Sequence, residues 1–109
     1  MKIAIPTDDG LMIRPTFSKS KGYVVATVKD RDIIHREIRW NLLSEIITSP
    51  DGIYYNLHDC HVVLVNEIGP LHDEILRTKN KQVVYTTSAT VTKAFMDYLN
   101  SIPVLVEEK

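Results

Sequence analysis

The segment His58-Asp59-Cys60-His61 places one thiol between two imidazoles. A thiolate with imidazoles is a ligand set for iron, zinc or copper. The spacing is too tight for His58, Cys60 and His61 to bind one ion, because neighbours along a strand point to opposite faces. A metal here needs Cys60 together with a residue from elsewhere in the chain or from a second subunit. The plainer alternative is a buried structural cysteine flanked by surface histidines at a helix end. A second group is Asp8, Asp9 and Glu67. Brought to adjacent strand ends, these carboxylates would hold a divalent ion for phosphoryl transfer, although no basic residues accompany them to clamp a phosphate. Otherwise they are solvated acids in turns. A third group is Thr87-Ser88-Ala89-Thr90, where one hydroxyl is enough to cap a helix and the surplus, with the flexible Gly69, leaves room for an anion. His72, in a first helical turn, and His35, in a hairpin, read as solvated. No Ser-His-Asp order, glycine-rich dinucleotide loop or P-loop is present, so the common nucleophilic and nucleotide-binding schemes lack their parts.

The elements that must position these groups follow from periodicity. Lys2 to Pro6 is a short apolar strand ended by the turn formers Pro6-Thr7-Asp8-Asp9-Gly10. Gly22 to Val28 and Ile33 to Ile38 are rich in β-branched residues, with the polar Lys29-Asp30-Arg31-Asp32 between them, and predict an antiparallel hairpin. Asn41 to Thr48 has apolar residues at helical spacing. Ser49-Pro50-Asp51 predicts a helix start, as N-cap, first-turn proline and first-turn acid, for a helix running to about His58. From there the pattern is strand, turn, helix, twice over, which predicts parallel crossovers. Val62 to Val65 is a strand buried on both faces. Asn66-Glu67-Ile68-Gly69-Pro70 leads into a helix with Leu71, Ile75 and Leu76 that stops near Lys79-Asn80. Val83 to Thr86 is the next strand, and Thr87 to Thr90 caps a helix with Val91, Ala94, Phe95, Tyr98 and Leu99 inward. Ile102 to Val106 reads as an edge strand or docked tail. In such a sheet, the loops after the parallel strands converge with helix N-termini, so Thr7 to Gly10, Asn66 to Gly69 and Thr86 to Ser88 should meet at one edge.

The 109 residues fit a single domain, 1–109, without linker, repeat or low-complexity tract. With 13 basic against 14 acidic residues and a pI near 6.4, no electrostatic footprint for nucleic acid exists. No apolar run approaches the roughly 20 residues that span a bilayer, so no membrane partner is expected and the cytoplasm is the expected compartment. The single cysteine excludes an internal disulfide.

Taken in order, several segments resemble the dinitrogenase iron-molybdenum cofactor biosynthesis family. They are Met1-Lys2-Ile3-Ala4-Ile5-Pro6-Thr7-Asp8-Asp9-Gly10, Leu57-His58-Asp59-Cys60-His61-Val62-Val63, Ile68-Gly69-Pro70, and Thr87-Ser88-Ala89-Thr90 with Ala94. The resemblance covers nearly the whole chain. It implies a ribonuclease-H-like three-layer α/β domain with a mixed five-stranded sheet. It also implies an iron-molybdenum cofactor precursor or iron-sulfur cluster as ligand, bound without being transformed. On that reading the cofactor side of the site is Asp8, Thr16, Asn66, Glu67, Gly69, Thr87 and Ser88, and the metal side is Cys60, His61 and His58. Three stretches depart from the family pattern. Thr16, in Pro15-Thr16-Phe17-Ser18, stands where the family has histidine; Asn66 and Glu67 stand where it has glycines; and Arg39-Trp40-Asn41-Leu42-Leu43 replaces a histidine- and glycine-rich connection.

The function expected from these readings is a non-enzymatic binding or carrier protein, with metal-cluster donor or acceptor proteins as partners. The alternative is a regulatory or interaction module that kept the fold and bound no cofactor. A divalent-metal phosphotransfer enzyme on Asp8, Asp9 and Glu67 ranks below both. A homodimer is compatible with one cysteine per chain, since only an interface could supply a paired site.

Overall fold

A computed structural model describes residues 1–41 and 54–101. Five strands form one sheet: β1 (Lys2–Thr7), β2 (Gly22–Lys29), β3 (Asp32–Trp40), β4 (Val62–Val65) and β5 (Gln82–Tyr85). Their order is β3-β2-β1-β4-β5. The hairpin β2–β3 and the pair β1–β2 are antiparallel, while β1, β4 and β5 run parallel, so the sheet is mixed. Two helices, α1 (Pro70–Thr78) and α2 (Val91–Ser101), follow β4 and β5.

The alternation of side chains across the strands builds two cores. On one face Ile3, Ile5, Val24, Ala26, Val62 and Leu64 pack against Val91, Ala94, Phe95 and Leu99 of α2. On the other, Ala4, Tyr23, Val25, Val63, Val65 and Val83 pack against Leu76 of α1, with Phe17, Tyr54, Leu57 and Cys60. Residues buried on both faces explain why β1 and β4 read as continuous apolar runs rather than as alternating ones. Burying a side chain such as Phe95 or Leu76, both fully enclosed, is worth roughly 1.5–3 kcal/mol.

The strands and helices expected from periodicity are present, with small shifts at their ends. β1 extends through Thr7, and β5 is displaced one residue toward the N-terminus, to Gln82–Tyr85. The helix expected over Asn41 to Thr48, the helix start at Ser49-Pro50-Asp51 and the strand at Ile102 to Val106 lie outside the described residues. Tyr54 and Tyr55 are helical, and the chain turns from Asn56 to Asp59 before β4, so the helical residues stop short of the expected His58.

The fate of Pro6 decides the shape of one sheet edge. Met1 and Val28 exchange both backbone hydrogen bonds, so the hydrogen-bonded rungs between β1 and β2 fall at Ile3, Ile5 and Thr7. The polar groups of Lys2, Ala4 and Pro6 therefore face β4, as the bond from His61 N–H to the Lys2 carbonyl confirms. Pro6 has no N–H to give there, and β1 pairs with β4 only at Ile3 and Ala4. Its carbonyl accepts instead from Arg14 N–H at 2.9 Å. The loop after β1 thereby enters between the strands: Ile13 bridges Thr7 on one side and Thr16 bridges Glu67 on the other.

Candidate functional site

The three segments expected at the carboxyl edge of the parallel strands do meet there, and the loop between β1 and β2 joins them. Glu67 N–H donates to the Pro15 carbonyl at 3.2 Å, and Phe17 N–H to the Glu67 carbonyl at 3.4 Å. Ile13 N–H donates to the Ala89 carbonyl, and Val91 N–H to the Leu11 carbonyl, both at 2.9 Å. Thr7 organises the root of this loop. Its buried hydroxyl donates to the Met12 carbonyl at 2.7 Å and accepts from Gly10 N–H at 2.8 Å. Gly10 is needed at the turn because its φ is +86°, a left-handed conformation that a side chain disfavours.

Thr16, Ser18, Glu67, Ile68 and Gly69 line an open hollow of about 360 Å³ at this edge. The Thr16 hydroxyl donates to Glu67 Oε1 at 3.0 Å. Gly69 is the N-cap of α1 and has open space where a side chain would begin. The other residues expected on the cofactor side are engaged elsewhere. Asn66 Nδ2 donates to the carbonyls of Thr86 and Ser88 at 2.9 and 3.0 Å, tying the end of β4 to the loop after β5. Ser88 is buried, and its hydroxyl donates to Asp97 Oδ2 at 3.1 Å. Thr87 is exposed outside the hollow, and the capping role falls to Thr90, whose Oγ1 accepts from Lys93 N–H at 3.3 Å. Asp8 pairs with Arg14 at 2.8 Å and accepts from Lys21 N–H at 3.0 Å.

The trio of acids is not assembled as a cation site. Asp8 is turned to Arg14, and Asp9 accepts from Leu11 and Met12 N–H, which holds its carboxyl below the usual range. Glu67 accepts from Thr16. Among the described residues no three His, Cys, Asp or Glu side chains gather as a metal-holding group.

The histidine-cysteine segment lies at the opposite end of β4. Cys60 precedes Val62 and Glu67 follows Val65, and the four steps from Val62 to Asn66 alone span on the order of 13 Å. Thr16 and Glu67 therefore cannot share an ion with Cys60. The thiol is 3% exposed within the α1-side core, and burial, aided by the neighbouring Asp59 carboxylate, pushes it up to about 11. His61 Nδ1 accepts from Lys2 N–H at 2.9 Å, and His58 Nδ1 donates to the Tyr55 carbonyl at 2.8 Å.

Asp59, between them, is the strongest electrostatic centre described. It accepts from Arg39 Nη1 and Nη2 at 2.5 and 3.0 Å and from Lys2 Nζ at 2.7 Å. The Arg39 guanidinium, then Lys2, hold its carboxyl well below the ordinary value against the opposing effect of burial. Arg39 also donates to Glu37 Oε2 and to the Asn56 carbonyl, each at 2.9 Å. This fork ties β3 to the turn before β4. From the sequence, Arg39 stands out only as a departure from the family pattern, and Ser18 is not among the residues expected at the hollow. No local signal marked Arg39, because β3 also carries Asp32, Arg36 and Glu37 and its charge does not stand out among them.

Among solved structures, PH0822 matches with 18% identity over 92% of this chain and 91% of its own, at a TM-score of 0.77. MJ0327 of Methanocaldococcus jannaschii matches at 15% identity, covering 92% and 88%, with a TM-score of 0.73. The apo form of the orange protein from Desulfovibrio gigas matches at 22% identity, covering 91% and 87%, with a TM-score of 0.70. These likenesses establish the fold. No curated protein matches the sequence. The sequence profile of the family described as dinitrogenase iron-molybdenum cofactor matches residues 1–101, nearly the whole chain and all of its described elements. The chain belongs to the dinitrogenase iron-molybdenum cofactor family.

Proposed function

We propose that this chain is a non-enzymatic binding module of its family, acting beside the proteins that donate or accept iron-molybdenum cofactor precursors or iron-sulfur clusters, without ligating a cluster through its own side chains. Family membership supports the setting. The observation that carries the rest is the state of Cys60: buried at 3% exposure, with its thiol pushed up to about 11, and a full strand length away from Thr16 and Glu67. A cluster held by protein needs thiolates or imidazole nitrogens facing one accessible space. The donor set does not fit that requirement, and the carboxylate of Glu67 at the strand-end hollow disfavours an anionic cluster there.

The second reading, a carrier that holds a cluster as cargo with its own ligands, is favoured by one feature. Gly69 leaves the N-terminus of α1 uncovered beside a hollow of about 360 Å³. We assign the fold to the ribonuclease-H-like group and the chain to the cytoplasm as part of the same proposal, with a homodimer as the assembly in which a paired site could arise.

Anaerobic reconstitution with iron and sulfide, comparing the wild type with Cys60→Ala by visible absorption, tests this. The expected result is no cluster spectrum from either protein. A spectrum in the wild type that Cys60→Ala lacks overturns the proposal. Equal spectra from both would move the reading to the cargo carrier.

A further inference from the structure

At the end of the sheet opposite the strand-end hollow, Tyr54, Tyr55, His58, Lys79 and Lys81 line a second open hollow of about 310 Å³. Among the described residues its lining contains two lysines and no carboxylate, although the chain as a whole is slightly acidic. Lys81 is the decisive residue. It is 8% exposed, and its ammonium donates to the carbonyls of Cys60 at 2.8 Å and His58 at 3.1 Å. An ammonium has three donors, so one N–H remains, and among the described residues no carboxylate lies within ion-pair distance of it. A buried charge without a counter-ion is costly, and proteins ordinarily pair it.

We propose that this hollow binds the phosphate group of a small molecule that also carries a planar ring.

The surroundings are arranged for an anion. Lys79, exposed, stands over the Tyr54 ring with its ammonium 5.8 Å from the centroid, and makes no ion pair among the described residues. The nearby C-terminus of α1 would repel an anion if its carbonyls were free. Three of the last four are closed by the chain itself: Lys79 N–H donates to the Ile75 carbonyl, Lys81 N–H to that of Leu76 and Asn80 N–H to that of Arg77, each at 3.0 Å. The left-handed Asn80, with φ 65°, permits that closure. Among the described residues next to this segment, the acid is Asp59, which is already neutralised by Arg39 and Lys2. Two like charges at one hollow repel each other, and a phosphate between them converts that repulsion into two attractions. The ring component follows from Tyr55. It is 75% exposed, with its only ring neighbour among the described residues being His58 at 5.8 Å and 30°, so one broad aromatic face is open to stacking.

The test is titration of the full-length, ¹⁵N-labelled chain with inorganic phosphate and, separately, with adenosine 5′-monophosphate at low ionic strength, followed by amide shifts. Both probes should move the amides of Tyr54 to Asp59 and Lys79 to Lys81, with the nucleotide binding tighter. Lys79→Gln should weaken both by about tenfold, the loss of one charge-assisted contact. Tyr55→Ala should weaken the nucleotide alone. Lys81→Met should abolish binding of both; if that buried change unfolds the chain, the surface substitution Lys79→Gln decides. Shifts scattered over the surface, or unchanged affinity in Lys79→Gln, overturn the site. Equal affinity for the two probes, unaltered by Tyr55→Ala, overturns the ring component.

Discussion

Replacing Asp59 by asparagine keeps the size of the side chain and removes its charge, isolating the electrostatic share of the fork that joins β3, the 54–59 turn and the start of β1. In the native chain the carboxylate receives two bonds from Arg39 and one from Lys2, and the side chains of Arg39 and Asp59 are 16% and 29% exposed. Breaking a fully buried pair costs 3–5 kcal/mol; with this exposure, a loss of about 2 kcal/mol is expected. For a domain of this length that lowers Tm by about 10 °C. The pH dependence gives a second, sharper reading. Arg39 and Lys2 depress the folded-state value of Asp59, so its contribution is complete above the ordinary carboxylate value and is lost as pH falls toward and through the folded one. Between pH 7 and pH 3 the unfolded chain begins to take up the proton while the folded chain does not. The gap between wild type and Asp59→Asn should therefore narrow by about 1 kcal/mol. Urea unfolding followed by circular dichroism at both pH values measures it. A gap below about 0.5 kcal/mol at pH 7, or one that is unchanged at pH 3, refutes the assignment of Asp59 as a stabilising charge.

Cys60 should resist alkylation: native protein at pH 8 should react with iodoacetamide far more slowly than urea-unfolded protein, because burial raises the thiol to about 11 and hides it. Equal rates would show that the thiol is exposed. Gly22→Ala should destabilise by about 2 kcal/mol, since its methyl would lie 2.6 Å from the Arg39 carbonyl, while Gly69→Ala, with open space at that position, should stay within about 0.5 kcal/mol. Thermal melts of the two variants compare them directly, and similar losses would contradict the geometry. Thr16→Val removes an exposed hydrogen bond to Glu67 and should change stability by less than about 1 kcal/mol, as differential scanning calorimetry would register.

The strands were legible because Val62 to Val65 and the β2–β3 hairpin are short runs of β-branched residues, and a buried run has few other places to go. α1 was legible from Gly69-Pro70 at its start and from Leu76, buried in the core at the expected spacing. The separation of Cys60 from Glu67 was also within reach, since one precedes a strand and the other follows it. The bonding of Asn66 was not. Its amide could equally face a ligand or hold the chain, and only the positions of the Thr86 and Ser88 carbonyls decide. Ser88 misleads similarly: a hydroxyl near a helix start suggests capping, but its bond goes to Asp97, nine residues on along α2. Such outcomes depend on distances between segments far apart in sequence, which local spacing does not encode. The Arg39–Asp59 fork belongs with them, spanning twenty residues and a strand register.

Pro6 ends the pairing of β1 with β4 by lacking a single hydrogen atom, and the consequence reaches beyond local geometry. Parallel strands that pair to their ends leave a ligand only the space that the loops build beyond the edge. Here an imino acid works as a stop in that pairing, holding two strand ends apart so that loop backbone from Arg14 to Phe17 can be threaded into the gap. The hollow beside Thr16 and Glu67 thus owes its place to a subtraction rather than to any group that touches it. The residues around its rim are then free to change in type without the opening being lost, and a stop placed one rung earlier or later would relocate the opening altogether.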